Sequence, residues 1–430
     1  MVKRFTKQEN SWMFYDWANS AYSIIITTAV FPLFYKAAAS NAGVSGADST
    51  AYLGYTIAIA TFLLAMLAPI LGTIADYKGV KKRFFTVFFL VGVISTAVLA
   101  FIPSDHWLLL LICYTFTVIG SAGANVFYDA FLVDVTSDER MDTVSARGFG
   151  LGYIGSTIPF LLSIVIIILA QQEVLPLSTT FASKIAFLIT AAWWGLFTIS
   201  LLKHVRQRYY IEPDKHPVIN SFRRLGTTFL HIKQYRSAFM FLVAYFFYID
   251  GVGTIITMST AYGTDLGISS TNLLVILFVT QVVAAPFAML YGKLSNKFTG
   301  KKMLYVGIAV YMIVCIYAFF MKTVLDFWIL AMLVATSQGG IQSLSRSYFA
   351  KLIPKENANE FFGFYNIFGK FASIMGPLLV GVTAQITGHS NMGVFSLVIL
   401  FVIGMLVLAR VPEPTASGHA KPLRNESIHS

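Results

Sequence analysis

The chain has 430 residues, of which 57% are hydrophobic and only 12% charged, and its mean hydropathy is +0.71. Soluble chains carry about 25% charged residues, so no soluble fold hides this much apolar surface, and 13 prolines and two cysteines exclude collagen, low-complexity disorder and a disulfide scaffold. A formal charge of +11 would suggest nucleic acid on a soluble protein, so the placement of that charge decides its meaning.

A spanning helix needs about 20 mostly apolar residues. Twelve such stretches follow one another, over 12–36, 51–75, 84–103, 107–133, 145–170, 183–203, 237–263, 271–294, 303–321, 325–350, 359–386 and 391–410. The first imitates a signal peptide, with basic residues ahead of an apolar run and Ala37-Ala38-Ala39 behind it. Asp16, Asn19 and several aromatic side chains interrupt that run and Lys36 precedes the small residues, so the expectation is an uncleaved first helix. Pro32, Pro69, Pro159, Pro286 and Pro377 fall inside the stretches and predict kinks.

Between the sixth and seventh stretches lies the longest connection, residues 204–236. Val218, Phe222, Leu225, Phe229 and Ile232 recur there at steps of four and three, with Arg223, Arg224 and Lys233 elsewhere on the helix. This is the pattern of a helix lying in the lipid interface, and its expected role is to tether the halves. The chain thus divides into an N-terminal six-helix bundle (1–203), a cytoplasmic linker (204–236), a C-terminal six-helix bundle (237–410) and a disordered cytoplasmic tail (411–430).

Of the 31 Lys and Arg residues, 26 fall in alternate connections that share one side with the N-terminus, and only Lys36, Lys184 and Lys322 lie on the other. The positive-inside rule makes that basic side cytoplasmic, with both termini on it. The surplus of positive charge therefore sets the topology of a multi-pass membrane protein, expected in a bacterial plasma membrane, and nucleic acid is not an expected partner.

The halves echo one another. Gly72-x3-Asp76-x2-Gly79-x-Lys81-Lys82 follows the second stretch, and Gly292-x3-Asn296-x3-Gly300-Lys301-Lys302 follows the eighth. Gly152 and Pro159 match Gly369 and Pro377 at offsets of 217 and 218, and Asn125 and Asp129 match Gln342 and Arg346 at 217. Such a repeat points to a two-bundle transporter with its site between the halves near mid-membrane.

The first loop motif resembles the loop signature of the major facilitator superfamily, Gly-x3-Asp-Arg-x-Gly-Arg-Lys. The resemblance implies that Gly72, Asp76, Gly79, Lys81 and Lys82, with Gly292, Asn296 and Gly300, gate the cytoplasmic side. Tyr77 and Val80 stand where the pattern has arginines, and Asn296 replaces the second Asp, which implies a weaker latch confined mainly to the first half. Trp12-Met13-Phe14-Tyr15-Asp16-Trp17-Ala18-Asn19-Ser20-Ala21-Tyr22, with Asn125-Val126-Phe127-Tyr128-Asp129-Ala130-Phe131-Leu132, is similar to the vacuole-effluxer-like branch of that superfamily over residues 8–410. That branch implies twelve transmembrane helices in two pseudo-symmetric six-helix bundles. Its fungal members are associated with amino-acid release from the vacuole.

A charge inside a bilayer costs about 2.5–3.5 kcal/mol even on lenient scales, so it faces protein or a watery cavity. Asp16, Asp129, Asp250, Arg346 and Lys370 are the cases. At 1.5 Å per residue Asp250 lies ~20 Å and Lys370 ~16 Å along their helices, near mid-depth. Superfamily architecture places the first, fourth, seventh and tenth helices around the cavity, which carry four of the five. The candidate solute or proton contacts are Asp16, Trp17, Asn19, Tyr22, Asn125, Tyr128, Asp129, Tyr245, Tyr248, Asp250, Gln338, Gln342, Arg346 and Lys370. Arg346 would grip a carboxylate and an Asp an ammonium, as a small polar or zwitterionic solute requires. Alternatively, Asp129 pairs with Arg346 as a gate, and Asp250 with Lys370 as a structural pair. Three acids against two bases leave one carboxylate to carry a proton; proton coupling, uniport and exchange all remain open.

All seven histidines fall in loops, helix ends or the tail, so a zinc triad or buried His–carboxylate pair is not expected. Cys113 and Cys315 are lone thiols, and the phosphate-cradling Gly-x4-Gly-Lys-Ser/Thr string is absent. The expectation is a monomeric secondary transporter without cofactor or metal, with amino-acid efflux as the candidate activity. The alternatives are a non-transporting receptor or scaffold on the same fold, or a carrier of another metabolite class.

Overall fold

The computed structural model describes residues 4–212, 217–230, 234–265, 268, 270–388 and 390–414. Ile232 and residues 415–430 of the expected tail lie outside the described residues.

Helices follow the twelve apolar stretches in order: α1 (Lys7–Asn41), α2 (Gly46–Ala75), α3 (Val80–Val98), α4 (Trp107–Val135), α5 (Asp138–Gln171) and α6 (Thr179–His204). The second set is α7 (Arg236–Asp265), α8 (Ser270–Phe298), α9 (Gly300–Phe320), α10 (Val324–Leu352), α11 (Ala358–Thr387) and α12 (Asn391–Ala409). Among the described residues eleven helices are long and apolar enough to cross a membrane. The exception by composition is α3, whose first turn holds Lys81, Lys82 and Arg83 ahead of an apolar body. A separate linker helix (Pro217–Leu230) precedes α7.

Local chemistry sets the ends. Thr6 and Glu9 form a capping box on α1, and Ser45, Ser178 and Thr323 cap α2, α6 and α10. Pro69, Pro159, Pro286 and Pro377 sit inside helices that continue through them. α1 widens into a π-helical segment over Ser23–Ala29, with i→i+5 bonding in place of i→i+4. Large apolar side chains such as Phe101 (73% exposed) and Ile386 (80%) point outward, as a lipid-facing surface demands.

The packing is a repeat. In the first half α1 packs on α5 and α6, and α4 on α2 and α3; in the second, α7 packs on α11 and α12, and α10 on α8 and α9. Between the halves the main contacts are α2 with α11 and α5 with α8, one the pseudo-symmetric counterpart of the other. This is the two-bundle arrangement expected from the shared offset.

Candidate functional site

Between the halves lies a cavity of ≈ 390 Å³, lined from α1, α4, α5, α7, α10 and α11. That volume suits a small metabolite. Its floor faces the end that carries the basic loops, here the basic end.

The floor is built on Arg346. Its Nη1 donates to Asp129 Oδ1 (3.2 Å), Nη2 to Asp16 Oδ2 (3.1 Å) and to the Ser145 carbonyl (3.2 Å), and Nε to Ser145 Oγ (3.0 Å). Three helices of the first half thus converge on one side chain of the second. The guanidinium also lies against the Trp12 and Phe149 rings at 4.6 and 4.5 Å, a cation–π sandwich strongest where water is excluded. Arg346 is only 4% exposed, whereas the side chains of Asp16 and Asp129 are 13% and 14% exposed. The cavity therefore meets carboxylate edges, with the guanidinium behind them. Of the two sequence readings for Arg346 and Asp129, this geometry is the cross-half pair, with Asp16 as a third member.

The walls are amides, tyrosines and one lysine. Asn19 Nδ2 donates to Asn125 Oδ1 (2.9 Å), Gln342 Nε2 donates to the Gln338 carbonyl (3.0 Å), and Tyr245 stacks on Tyr365 with centroids 4.3 Å apart. Tyr128, Asn366, Gly369 and Lys370 also line it.

Five candidates from the sequence lie elsewhere. Trp17 stacks on Trp193 against α6, and Tyr22 bonds Thr117 Oγ1 (3.0 Å) inside the first half. Tyr248 is fully buried and bonds Ser345 Oγ (2.7 Å), joining α7 to α10. Gln338 faces a separate small apolar pocket with Ile276, Phe327 and Val334. Asp250 is 1% exposed; its Oδ1 accepts from Thr254 Oγ1 (3.4 Å), one turn on in the same helix, and Gly376 of α11 packs against it. Rotation explains the misses: Trp17 is about 100° round from Asp16, and Asp250 about 140° from Tyr245, on a helix of 3.6 residues per turn.

The basic end is shut by contacts between halves that the sequence reading did not name. Lys351 Nζ bonds Asp142 (2.7 Å), and Lys355 Nζ lies 2.9 Å from Asp138. The offset of 217 held a signal for them, since it maps Asp138 onto Lys355, just as it maps Asp129 onto Arg346. Gly72 and Gly292 are placed alike: a Cβ on Gly72 would strike the Asn359 carbonyl, and one on Gly292 the Ala146 methyl. Both glycines thus permit close approach of opposite halves.

The acidic members of the two loops differ. Asp76, the C-cap of α2, accepts from Asn359 N (2.9 Å), Asn359 Nδ2 (2.8 Å) and Glu360 N (3.4 Å) at the start of α11. Asn296 donates one bond to Thr143 Oγ1 (2.9 Å). Of the motif lysines, Lys81 pairs with Asp134 (2.6 Å) within the first half. Lys82 and Lys301 cap helix ends instead, at the Val205 carbonyl (2.9 Å) and the Ala409 and Val411 carbonyls (3.1 and 2.5 Å). Gly79 is left-handed (φ +76°, ψ −1°), as its turn requires, but the positive-φ residue of the second loop is Thr299 (φ +71°, ψ 149°), not Gly300.

Burial pushes the Asp76 carboxyl up to about 7, against the pull of Arg224 and with Glu360 adding to the rise. Among the described residues no group of three or more His, Cys, Asp or Glu side chains would hold a metal.

The sequence profile of the family described as vacuole effluxer Atg22 like matches residues 6–421. The chain belongs to that family. It is 74% identical over 417 residues, 97% of each chain, to the uncharacterized MFS-type transporter YxiO of Bacillus subtilis (strain 168). It is 24% identical to autophagy-related protein 22 of Eremothecium gossypii, over 92% of this chain and 88% of that one. Among solved structures it is similar to the proton:xylose symporter XylE (TM-score 0.71, 12% identity, 97% of each chain) and to FucP in its outward conformation (TM-score 0.66, 13% identity, 96% and 99%). At those identities the structures show the fold alone, that of the major facilitator superfamily. The chain is therefore a membrane-embedded secondary transporter of that superfamily rather than an enzyme.

Proposed function

We propose that this family member moves a small polar or zwitterionic solute by alternating access, and that the structure is the state closed at the basic end. The observation that carries the reading is the polar cavity between the halves, with Arg346, Asp129 and Asp16 at its floor and Lys370 in its wall. By the positive-inside rule the basic end is cytoplasmic, so the cavity faces the outside of a bacterial plasma membrane and both termini the inside. The two six-helix units, 1–203 and 237–410, rock about the cavity, and a single chain contains the whole path.

In this state Arg346 is committed to two carboxylates, so it serves as a gate. A solute ammonium is drawn to the exposed edges of Asp16 and Asp129, and a solute carboxylate to Lys370. Amino acids released from the cell fit this pairing. Asp250 supports proton coupling by a separate route: it is buried at mid-depth, its Oδ2 has no hydrogen-bond partner among the described residues, and it stands apart from the cavity lining. A buried anion costs several kcal/mol unless compensated, and taking a proton removes that charge.

Purified protein in liposomes, given labelled amino acids and other small metabolites with and without a pH gradient, tests the reading. Amino-acid flux that responds to the gradient and is lost in Asp16→Asn supports it. Binding without flux would favour a receptor on a transporter fold. Gradient-driven flux that survives in Asp250→Asn would remove the proton role of that residue.

A further inference from the structure

The linker helix does more than tether. Arg224 reaches from it into the seam between α2 and α11, with Nη2 at 3.2 Å from Asp76 Oδ2 and 3.5 Å from Glu360 Oε2. One carboxylate belongs to the first half and one to the second, and both side chains are 0% exposed. The guanidinium also lies 5.5 Å from the ring centre of Tyr77. Tyr77 is where the superfamily loop has an arginine, so the cation missing from the loop arrives from the linker.

The linker is built to deliver it. Residues 205–212 are fastened to the first loop by Gln207, which accepts from Gly79 N (2.9 Å) and donates to the Asp76 carbonyl (3.3 Å), and by the mutual bonds of Ile211 with Asp76 and Lys78. Asp134 Oδ1 accepts from Arg208 N and Tyr209 N at 2.7 and 2.9 Å. Beyond this, Ser221 and Thr228 are buried on the Arg224 face of the helix, while Ile219 (63% exposed) and Phe222 (52%) point away. Such a two-faced helix holds its arginine at one depth.

We propose that Arg224 is the bolt of the basic-end closure: a positioning residue, contributed by the linker, that joins Asp76 to Glu360 only when the halves are together at that end. The proposal rests on the alternating-access reading but not on any choice of solute. Removing one partner from a buried pair leaves an uncompensated charge. Without Arg224 the seam holds two buried carboxylates facing each other, and the closed arrangement loses ground to the open one.

The test reads conformation without substrate. In full-length protein with Cys113 and Cys315 replaced by alanine, Ser343→Cys reports the basic-end seam, since it is 0% exposed and its carbonyl accepts from Ser145. Ser23→Cys reports the cavity. Arg224→Gln is expected to speed alkylation of the seam reporter by a water-soluble maleimide about tenfold and to slow that of the cavity reporter. Arg224→Lys keeps most of the closure, and Arg223→Gln on the same helix leaves both rates at the parent level. Both rates within twofold of the parent in folded Arg224→Gln, judged by elution and Tm, would overturn the proposal, as would an equal effect from Arg223→Gln. If Arg224→Gln is not recovered folded, Arg224→Met, which keeps the apolar stem against Tyr77 and removes only the charge, decides: faster seam labelling supports the bolt, and parent rates reject it. Failure of the amino-acid flux assay alongside a reciprocal labelling change would reject the solute and leave the bolt standing.

Discussion

The two loop motifs share a backbone plan and divide its chemistry unequally. Gly72 and Gly292 occupy matching places at the seams α2–α11 and α5–α8, and each is pressed against the opposite half. The polar residue four positions on differs. Asp76 is fully buried, holds three N–H groups of α11 and faces a borrowed arginine, whereas Asn296 is exposed and makes one bond to Thr143. At the second seam the acid sits on the other strand of the contact, as Asp142 bonded to Lys351. Pseudo-symmetry thus conserves close approach and lets the ionic lock be assembled from whichever segments are near. The departure at Tyr77, which taken alone implied a weak latch, is offset by Arg224.

The largest effect should come from what the copies share. Leucine at Gly72 or at Gly292 has nowhere to go but into opposite backbone or Ala146, so each variant holds the basic end apart. Seam labelling at Ser343→Cys should rise well beyond tenfold in both, since overpacking a tight contact costs about 1–3 kcal/mol or more. Equal labelling in parent and Gly292→Leu would break the claim that the two seams are equivalent.

The next effect should separate the copies. Asp76→Ala removes the acceptor for three N–H groups and one of two partners of Arg224, and should raise seam labelling about tenfold, as loss of a buried charged partner does. Asn296→Ala removes one solvent-exposed bond and should stay within about twofold of the parent. Equal effects would mean that the electrostatic asymmetry carries no weight.

Why the sequence disclosed some of this and not the rest follows from particular residues. The twelve spans were legible because lipid imposes an apolar length and the positive-inside rule checks the count. Arg346 and Asp129 were legible as partners because the offset of 217 placed them on the pseudo-twofold, and the same offset relates Asp138 to Lys355. Phe149, Tyr365 and Asn366 were not legible: nothing in their type or spacing distinguishes a cavity-lining side chain from a packing one. Gln338 was misplaced because four-residue steps overshoot the helical turn by about 40° each, so two steps carry it off the face of Arg346. Arg224 was seen only as part of an amphipathic helix, since the docking of that helix is a tertiary fact.

A smaller effect is expected from pH, and its sign follows from Asp76. Around that carboxyl stand Arg224 from the linker, Glu360 and Asn359 from α11, and Lys81 from α3, which is paired with Asp134. One guanidinium against two buried carboxylates leaves a net negative seam that a proton neutralises. With the closed-state value raised to about 7 from the ordinary 3.8, protonation favours closure. That contribution is complete below the ordinary value and disappears as pH rises through about 7. Seam labelling, corrected for maleimide reactivity with an exposed control cysteine, should therefore slow as pH falls from 8 to 6. Asp76→Asn should flatten the profile, whereas Asn296→Asp should leave its shape unchanged. A parent profile that is flat, or one that rises toward acid, would remove Asp76 as the titrating member.

The smallest effect concerns the turn glycines, which the motif presents as equivalents. Gly79 holds φ +76° with open space around its Cα, so alanine there meets only backbone strain, about 1–2 kcal/mol for a left-handed residue. Gly300 lies inside the first turn of α9, and the positive φ of that loop belongs to Thr299. A Cβ at Gly300 would come within 3.2 Å of Asp142 Oδ2, the movable end of a side chain, and alanine would gain helix propensity of about 1 kcal/mol. Gly79→Ala should thus lower Tm by a few degrees while Gly300→Ala leaves it unchanged or raises it, with neither altering seam labelling by more than about twofold. If Gly300→Ala proved the more damaging, the second loop would be using its glycine as the first does, and the two turns would be closer copies than their backbones indicate.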